Sequence, residues 1–284
     1  MGELMQIRDT RLFIEERGSG SPLIALHGGP GADHTQLLDP LAPLQDEFRL
    51  LFVDQRSQGH SDPAPRETWT LEDAARDVSD LAEMLGLDQY CVLGHSYGAL
   101  VALQHAVDHP RHAAATVLSH GVPSTRWYRL REELEQLDPP EVRQEVEAAW
   151  QQLESASDAA QMTELIARQA PFHFKDPEGP FVAEEADRYR QQMTQTPEVN
   201  QYMSSHALSR FDLEEALVRI AQPVLVLSGR FERTCPLEAA EFMADRIPNA
   251  DLYVFENSAH VSYVEERATY LAVVRAFLRR HLSR

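Results

Sequence analysis

The chain has 284 residues, 43% of them apolar, and a formal net charge of −19. That length provides for one large core with a modest inserted subdomain. The acidic balance argues against nucleic acid and anionic membrane as partners, and no stretch approaches the roughly 18 consecutive apolar residues of a membrane span.

Residues 4–7 and 12–16 alternate apolar and polar side chains about Asp9-Thr10, as an antiparallel hairpin does. Residues 23–26 are a short apolar run ending in glycines and 50–53 a second one ending at Asp54, with a short helix expected over 35–44. Residues 71–85 carry apolar side chains at Leu71, Ala74, Ala75, Val78, Leu81, Ala82 and Leu85, a helical stripe. The runs 90–93, 114–118, 224–227 and 252–255 bring the strands to eight, and a last helix is expected over 264–282. Apolar strands separated by helices predict a mostly parallel sheet covered on both faces.

Residues 1–10 lack a basic region followed by an apolar run, so no secretory leader is expected. Gln6 stands where myristoylation of Gly2 would want a small hydroxyl residue. Cys91 falls in a predicted core strand and Cys235 beside a loop proline, the usage of reduced thiols in a cytoplasmic protein.

The alternation breaks between residues 123 and 210, a stretch rich in Glu, Gln and Arg without a convincing strand. Helices are expected over 126–137, 140–156, 158–169 and 180–195, with Asp138 capping the second ahead of Pro139-Pro140. Trp127, Tyr128, Trp150, Phe172, Phe174, Phe181 and Tyr202 have nowhere local to bury, which suggests a helical lid. Inserted after the sixth strand, it would cover the C-terminal strand ends, where open α/β sheets keep their sites. The division expected is a core of 1–122 and 211–284 with a cap of 123–210; the alternative is a helical embellishment packed on the side.

The run Tyr90 to Leu100 reads as a buried strand, a turn with Gly94 and Gly98 on either side of Ser96, and the start of an apolar helix. A serine hydroxyl is a poor nucleophile unless held exposed beside a base, and a tight strand-to-helix bend does that. For the base, His260 lies between the last strand and the last helix, on the sheet edge where the Ser96 turn opens. The base needs a carboxylate on its far nitrogen. Glu232 follows the strand 224–227, residues 119–125 contain no carboxylate, and Asp245 and Asp251 fit less well. The alternative for Glu232 is a surface residue paired with Arg230 or Arg233. The glycine-rich loop His27-Gly28-Gly29-Pro30-Gly31 follows the third strand and lacks both the P-loop ending and the dinucleotide pattern. The backbone N–H groups of Gly29 and Tyr97 are therefore assigned as the oxyanion hole. His105 and His109 have metal-like spacing, but beside Pro110 they read as a helix end.

Elbow, lone downstream histidine and strand order together resemble the α/β-hydrolase superfamily. More narrowly, His27-Gly28-Gly29-Pro30-Gly31, the segment Asp54-Gln55-Arg56-Ser57-Gln58-Gly59-His60-Ser61, and Gly229-Arg230-Phe231-Glu232 with Cys235-Pro236 are similar to the proline iminopeptidases. The resemblance implies removal of N-terminal proline through a serine acyl-enzyme without metal or diffusible cofactor, with Ser96, Glu232 and His260 as triad and Asp54 and Arg56 as scaffold. The chain departs from the family at Glu232, usually Asp, at Ser57, usually Gly, and at Ala170, where the family places a lid glutamate that grips the substrate's amine. An ammonium buried without a carboxylate is strongly disfavoured, unless Glu184, Glu185 or Asp187 substitutes. The expected function is thus a serine hydrolase on an ester or amide of a small molecule or short peptide, with an apolar pocket from Trp127, Tyr128, Phe172 and Phe174. Iminopeptidase, carboxylesterase and non-catalytic binding protein remain alternatives.

Overall fold

The computed structural model describes residues 2–282. An eight-stranded sheet runs in the order β1-β2-β4-β3-β5-β6-β7-β8. The strands are β1 (Glu3–Ile7), β2 (Thr10–Arg17), β3 (Ser21–Leu26), β4 (Phe48–Val53), β5 (Cys91–His95), β6 (Ala115–Ser119), β7 (Val224–Gly229) and β8 (Ala250–Phe255). β1 and β2 are antiparallel, β2 is antiparallel to β4, and the pairs from β4 to β8 are parallel. The eight predicted runs are these eight strands. Successive parallel strands depart in opposite directions from the β3–β5 boundary, where Leu26 pairs with Gly94. That switch point opens a crevice beyond the strand C-termini.

The central strands are buried on both faces, with Leu23, Ile24, Leu26, Val92, Leu93 and Val117 essentially inaccessible, so each reads as a continuous apolar run. The helix Leu71–Met84 begins at Thr70, whose hydroxyl accepts the Asp73 N–H, and buries Ala74, Ala75, Val78, Leu81 and Ala82. Arg56 and Asp77 form a bidentate buried pair, Nε to Oδ2 at 2.8 Å and Nη2 to Oδ1 at 2.7 Å. It locks the turn after β4 to this helix, the scaffold role expected for Arg56.

Between β6 and β7 the chain is helical, and an isolated bridge between Ser124 and Asp212 joins the two ends of this insertion. Its longer helices are Pro140–Leu153, Ala159–Arg168 and Pro180–Gln192. Asp158 caps the second of these through the Gln161 N–H at 2.8 Å. Asp138, however, is not a cap. The helix starts at Pro140 with Pro139 in the cap position and no side-chain cap bond, because Pro140 presets helical φ and has no N–H to satisfy. The helix expected over 126–137 splits into a 3₁₀ turn, Thr125–Trp127, and Leu130–Glu135. A helix Pro197–Tyr202, absent from the sequence reading, continues into a π-turn. The insertion buries small cores of its own, Leu134, Leu137, Val146 and Phe172 in one and Ala149, Ala156, Met162 and Leu165 in another. No helix among the described residues is long and apolar enough to cross a membrane.

Replacing Arg56 by Met leaves the Asp77 carboxylate buried with only Arg8 nearby, at 3.5 Å. Breaking such a pair costs about 3 kcal/mol, and the expected loss is read from urea unfolding at neutral pH.

Candidate active site

Ser96 sits at the end of β5 with φ 53° and ψ −117°, between the strand and the helix Tyr97–Asp108. The glycines around it are required by close approach. A Cβ on Gly94 would lie 2.0 Å from the Gly98 carbonyl oxygen, and one on Gly98 would lie 2.3 Å from that of Leu26. The Ser96 N–H donates to Ser119 O at 2.9 Å, fixing the turn against β6.

His260, nearly buried, follows β8, and its Nδ1 is 2.8 Å from Glu232 Oε2. Glu232 follows β7 and is also buried, so it is not a surface residue paired with Arg230 or Arg233; Arg230 pairs with Glu256 at 2.7 Å instead. Its other oxygen accepts the N–H groups of Thr234 at 2.8 Å and Cys235 at 3.2 Å. Burial by itself would raise the Glu232 carboxyl, but the charge and hydrogen bond of His260, with smaller contributions from His120 and the Cys235 N–H, hold it down to about 2. Ser96 and His260 line one cavity of about 800 Å³.

Beside Ser96 runs the Gly28–Gly31 turn after β3. Gly28 N–H donates to Gln36 Oε1 at 2.6 Å and Gly31 N–H to Gln58 Oε1 at 2.6 Å. The N–H groups of Gly29 and of Tyr97, the first residue of its helix, have no acceptor among the described residues. Two donors are thus left open, one on the turn beside Ser96 and one on the residue that follows it.

Three further histidines, which sequence reasoning missed, surround His260. Ring centroids of His95, His173 and His120 lie 4.9, 5.1 and 5.6 Å from it. Burial, reinforced by His260, pushes His173 down to about 3. Burial likewise pushes His120 down to about 4, although Glu232 works the other way, and His95 falls well below its ordinary value. All three are neutral at pH 7. His173 belongs to the insertion; its carbonyl accepts the His260 N–H at 3.0 Å and its Nδ1 lies 3.2 Å from Thr234 Oγ1. Their only sequence signal was position: His95 ends β5 and His120 directly follows the adjacent β6, while His173 lies far away along the chain.

Among the four insertion aromatics expected to form the pocket, only Phe172 lines the cavity. Trp127 stacks near Phe242 at 5.3 Å and its Nε1 donates to Glu214 at 2.9 Å. Tyr128 packs on the main core and Phe174 is buried in the cluster with Tyr189 and Tyr263. The Ser124–Asp212 bridge holds the 125–128 turn against the helix Leu237–Arg246 instead of over the cavity. Trp150, Leu153, Ile166 and Met193 supply the apolar wall together with Phe172. Ala170 is buried, Glu184 and Asp187 are exposed, and Glu185 is paired with Arg188 at 2.6 Å. The sole carboxylate among the described lining residues is Glu154, which is exposed.

One group among the described residues has donor atoms close enough to hold a metal: His34, Asp54 and His60, within 4.8 Å of one another. Both Asp54 oxygens already accept N–H groups. Oδ1 takes the backbone and Nδ1 of His34 at 2.6 and 2.8 Å, and Oδ2 those of His60 at 2.7 and 3.0 Å. Asp54 thus clamps two loops, the scaffold role expected for it. His105 and His112 share the Tyr90 hydroxyl at the end of the helix Tyr97–Asp108.

A family model of the alpha/beta hydrolase fold matches residues 21–267. The chain belongs to the α/β-hydrolase family. It is 28% identical over 282 residues to a proline iminopeptidase of Clostridium botulinum, covering 95% of this chain and 94% of the relative. A proline iminopeptidase of Heyndrickxia coagulans is 30% identical over 278 residues, with 93% of each chain covered. Among solved structures, a thermophilic esterase from Thermogutta terrifontis superposes with a TM-score of 0.78 over 100% of both chains at 24% identity, a likeness of fold. This α/β-hydrolase is therefore similar to the proline iminopeptidases, as its motifs suggested.

Because the folded Glu232 carboxyl is held near 2, below its unfolded value of about 4.3, its stabilisation is present above that value and lost as pH falls toward the folded one. The stability gap between wild type and Glu232→Gln should narrow as pH falls from about 4.5 toward 2, as read in urea titrations.

Proposed function

We propose that this hydrolase is a serine hydrolase that cleaves an uncharged ester or amide through an acyl-enzyme. The observation that carries the reading is that a strained Ser96 and a His260 paired with buried Glu232 line the same cavity. In this mechanism His260 Nε2 takes the Ser96 proton as Oγ bonds to the substrate carbonyl carbon. The N–H groups of Gly29 and Tyr97 receive the negative oxygen, whose charge develops only in the transition state. Collapse breaks the bond to the leaving group, which departs with the proton from His260. Water then repeats the sequence: it gives a proton to His260, attacks the acyl carbon and releases the acid, and Ser96 regains its proton. Glu232 fixes the His260 tautomer with Nδ1–H toward the carboxylate and stabilises the imidazolium. The segment 123–210 serves as the lid over this reaction, tied to the core by His173, by Thr196 N–H to Gly31 O at 2.7 Å, and by Asn200 to Pro30 O at 2.7 Å.

The preference for an uncharged substrate rests on the cavity wall, whose single carboxylate lies exposed at Glu154. A substrate ammonium would be desolvated there without a buried counter-charge. Removal of N-terminal proline is the second reading, favoured by the curated relatives' names and by the Gly-Gly-Pro-Gly loop.

Purified enzyme assayed side by side on p-nitrophenyl butyrate and prolyl-β-naphthylamide should hydrolyse the ester, and Ser96→Ala should abolish that turnover while the protein stays folded by circular dichroism. Ser96-dependent release from the prolyl amide would favour the second reading; ester turnover surviving in Ser96→Ala would overturn the mechanism. Glu232→Gln should lower kcat by up to about 10⁴, and near-normal kcat would mean that another group orients His260.

A further inference from the structure

Polar side chains of the helical insertion make up much of the cavity wall. Gln169, Asn200 and Gln201, all contributed by the helical insertion, line the cavity that contains Ser96. In each the side-chain NH2 is already committed to a backbone carbonyl. Gln169 Nε2 donates to Leu165 O at 3.0 Å and Asn200 Nδ2 to Pro30 O at 2.7 Å. Gln201 Nε2 donates to Ala156 O at 2.8 Å and Leu153 O at 3.3 Å. A backbone carbonyl can only accept, so these contacts decide which end of each amide is nitrogen. The other ends, Gln169 Oε1, Asn200 Oδ1 and Gln201 Oε1, have no donor among the described residues. These three side chains therefore present acceptors beside the apolar surface of Trp150, Leu153, Ile166 and Phe172, while donors on the same wall come from Gln36 Nε2 and the Ser204 and Thr234 hydroxyls.

Gln169, though only 5% exposed, lines a cavity roomy enough for water, so a bound ligand that displaces that water must supply an N–H or O–H in its place. A bare hydrocarbon ester cannot. An ammonium could donate to the same oxygens, but it would bring a charge that no buried carboxylate of the described lining balances.

Resting on the serine hydrolase reading, we infer that Gln169, Asn200 and Gln201 form an acceptor tier that selects uncharged substrates carrying N–H or O–H donors near the scissile carbonyl. N-acylated amino-acid esters would bring the donor on the acyl side and partly esterified polyols on the leaving-group side. The tier sets specificity; Ser96 and His260 do the chemistry.

Matched pairs that differ by one methyl group test this. On the acyl side, p-nitrophenyl N-acetylglycinate is compared with its N-acetylsarcosine analogue, in which N–CH3 replaces N–H. On the leaving-group side, 2-hydroxyethyl butyrate is compared with 2-methoxyethyl butyrate by pH-stat. At least one donor-bearing member should exceed its methylated partner in kcat/KM by about tenfold, the worth of one well-placed hydrogen bond. Gln169→Met/Gln201→Met, checked for folding by circular dichroism, should bring that ratio to within about twofold. Ratios near one for both pairs in the wild type overturn the inference, and that comparison needs no variant. So does a ratio that survives in the folded double variant, or a preference for the free-amine glycyl ester over its N-acetyl derivative. If p-nitrophenyl butyrate shows no Ser96-dependent turnover, the hydrolase reading fails separately, and the tier is then tested by binding. Calorimetry on Ser96→Ala with the methyl esters of N-acetylglycine and N-acetylsarcosine should show tighter binding of the first; equal affinities overturn the inference.

Discussion

The closeness with which the helix Tyr97–Asp108 approaches the ends of β3 and β5 governs the geometry of the site. Gly98 lies so near the Leu26 carbonyl that no Cβ fits, and Gly94 so near Gly98 that none fits there either. The connection between strand and helix is a single residue, and that residue is forced to positive φ. A non-glycine residue held outside its preferred backbone regions costs about 1–3 kcal/mol, and the buried β-sheet on either side supplies the constraint that maintains it. The same approach brings the first, unpaired N–H of the helix next to the Gly28–Gly31 turn, so exposed hydroxyl and paired donors share one cause.

The electrostatics around His260 follow from burial. Four imidazoles lie close together with one buried carboxylate, Glu232. Four cations in that volume would repel strongly, and burial of His95, His120 and His173 removes the difficulty by keeping those rings neutral. The negative charge of Glu232 is then available to the one ring it touches. The 232–235 turn anchors the Glu232 side chain, whose second carboxylate oxygen accepts two backbone N–H groups. Those bonds keep the longer side chain from leaving His260.

The helical insertion supplies most of the cavity wall around Ser96 and His260. It reaches the core through His173, Thr196 and Asn200, each contacting a segment that borders Ser96 or His260. Its cavity face mixes aliphatic and aromatic surface with amide carbonyls. Several of its other ionisable side chains are paired away from the cavity, as in Glu185–Arg188 and Glu164–Arg190.

The strands and the elbow were legible in the chain because both are local. A doubly covered strand is a continuous apolar run, and a one-residue turn requires glycines at fixed offsets from Ser96. His260 and Glu232 were legible for a related reason: each follows a strand of a parallel sheet, and parallel strands end on one edge. The pocket wall was not legible, as the fates of Trp127 and Phe174 show. Both are large aromatics in the insertion, yet Trp127 turns to Phe242 and Glu214 and Phe174 sinks beneath Tyr189, while Phe172 reaches the cavity. Which way a lid side chain faces depends on the packing of segments distant along the chain, here the Ser124–Asp212 bridge and the Arg233 bond to Phe174 O at 2.6 Å. The orientation of the Gln169, Asn200 and Gln201 amides is likewise set by carbonyls that only the folded chain brings within reach. Residue types and their spacing therefore determined the fold and the placement of Ser96, His260 and Glu232, whereas long-range packing determined the cavity wall around them.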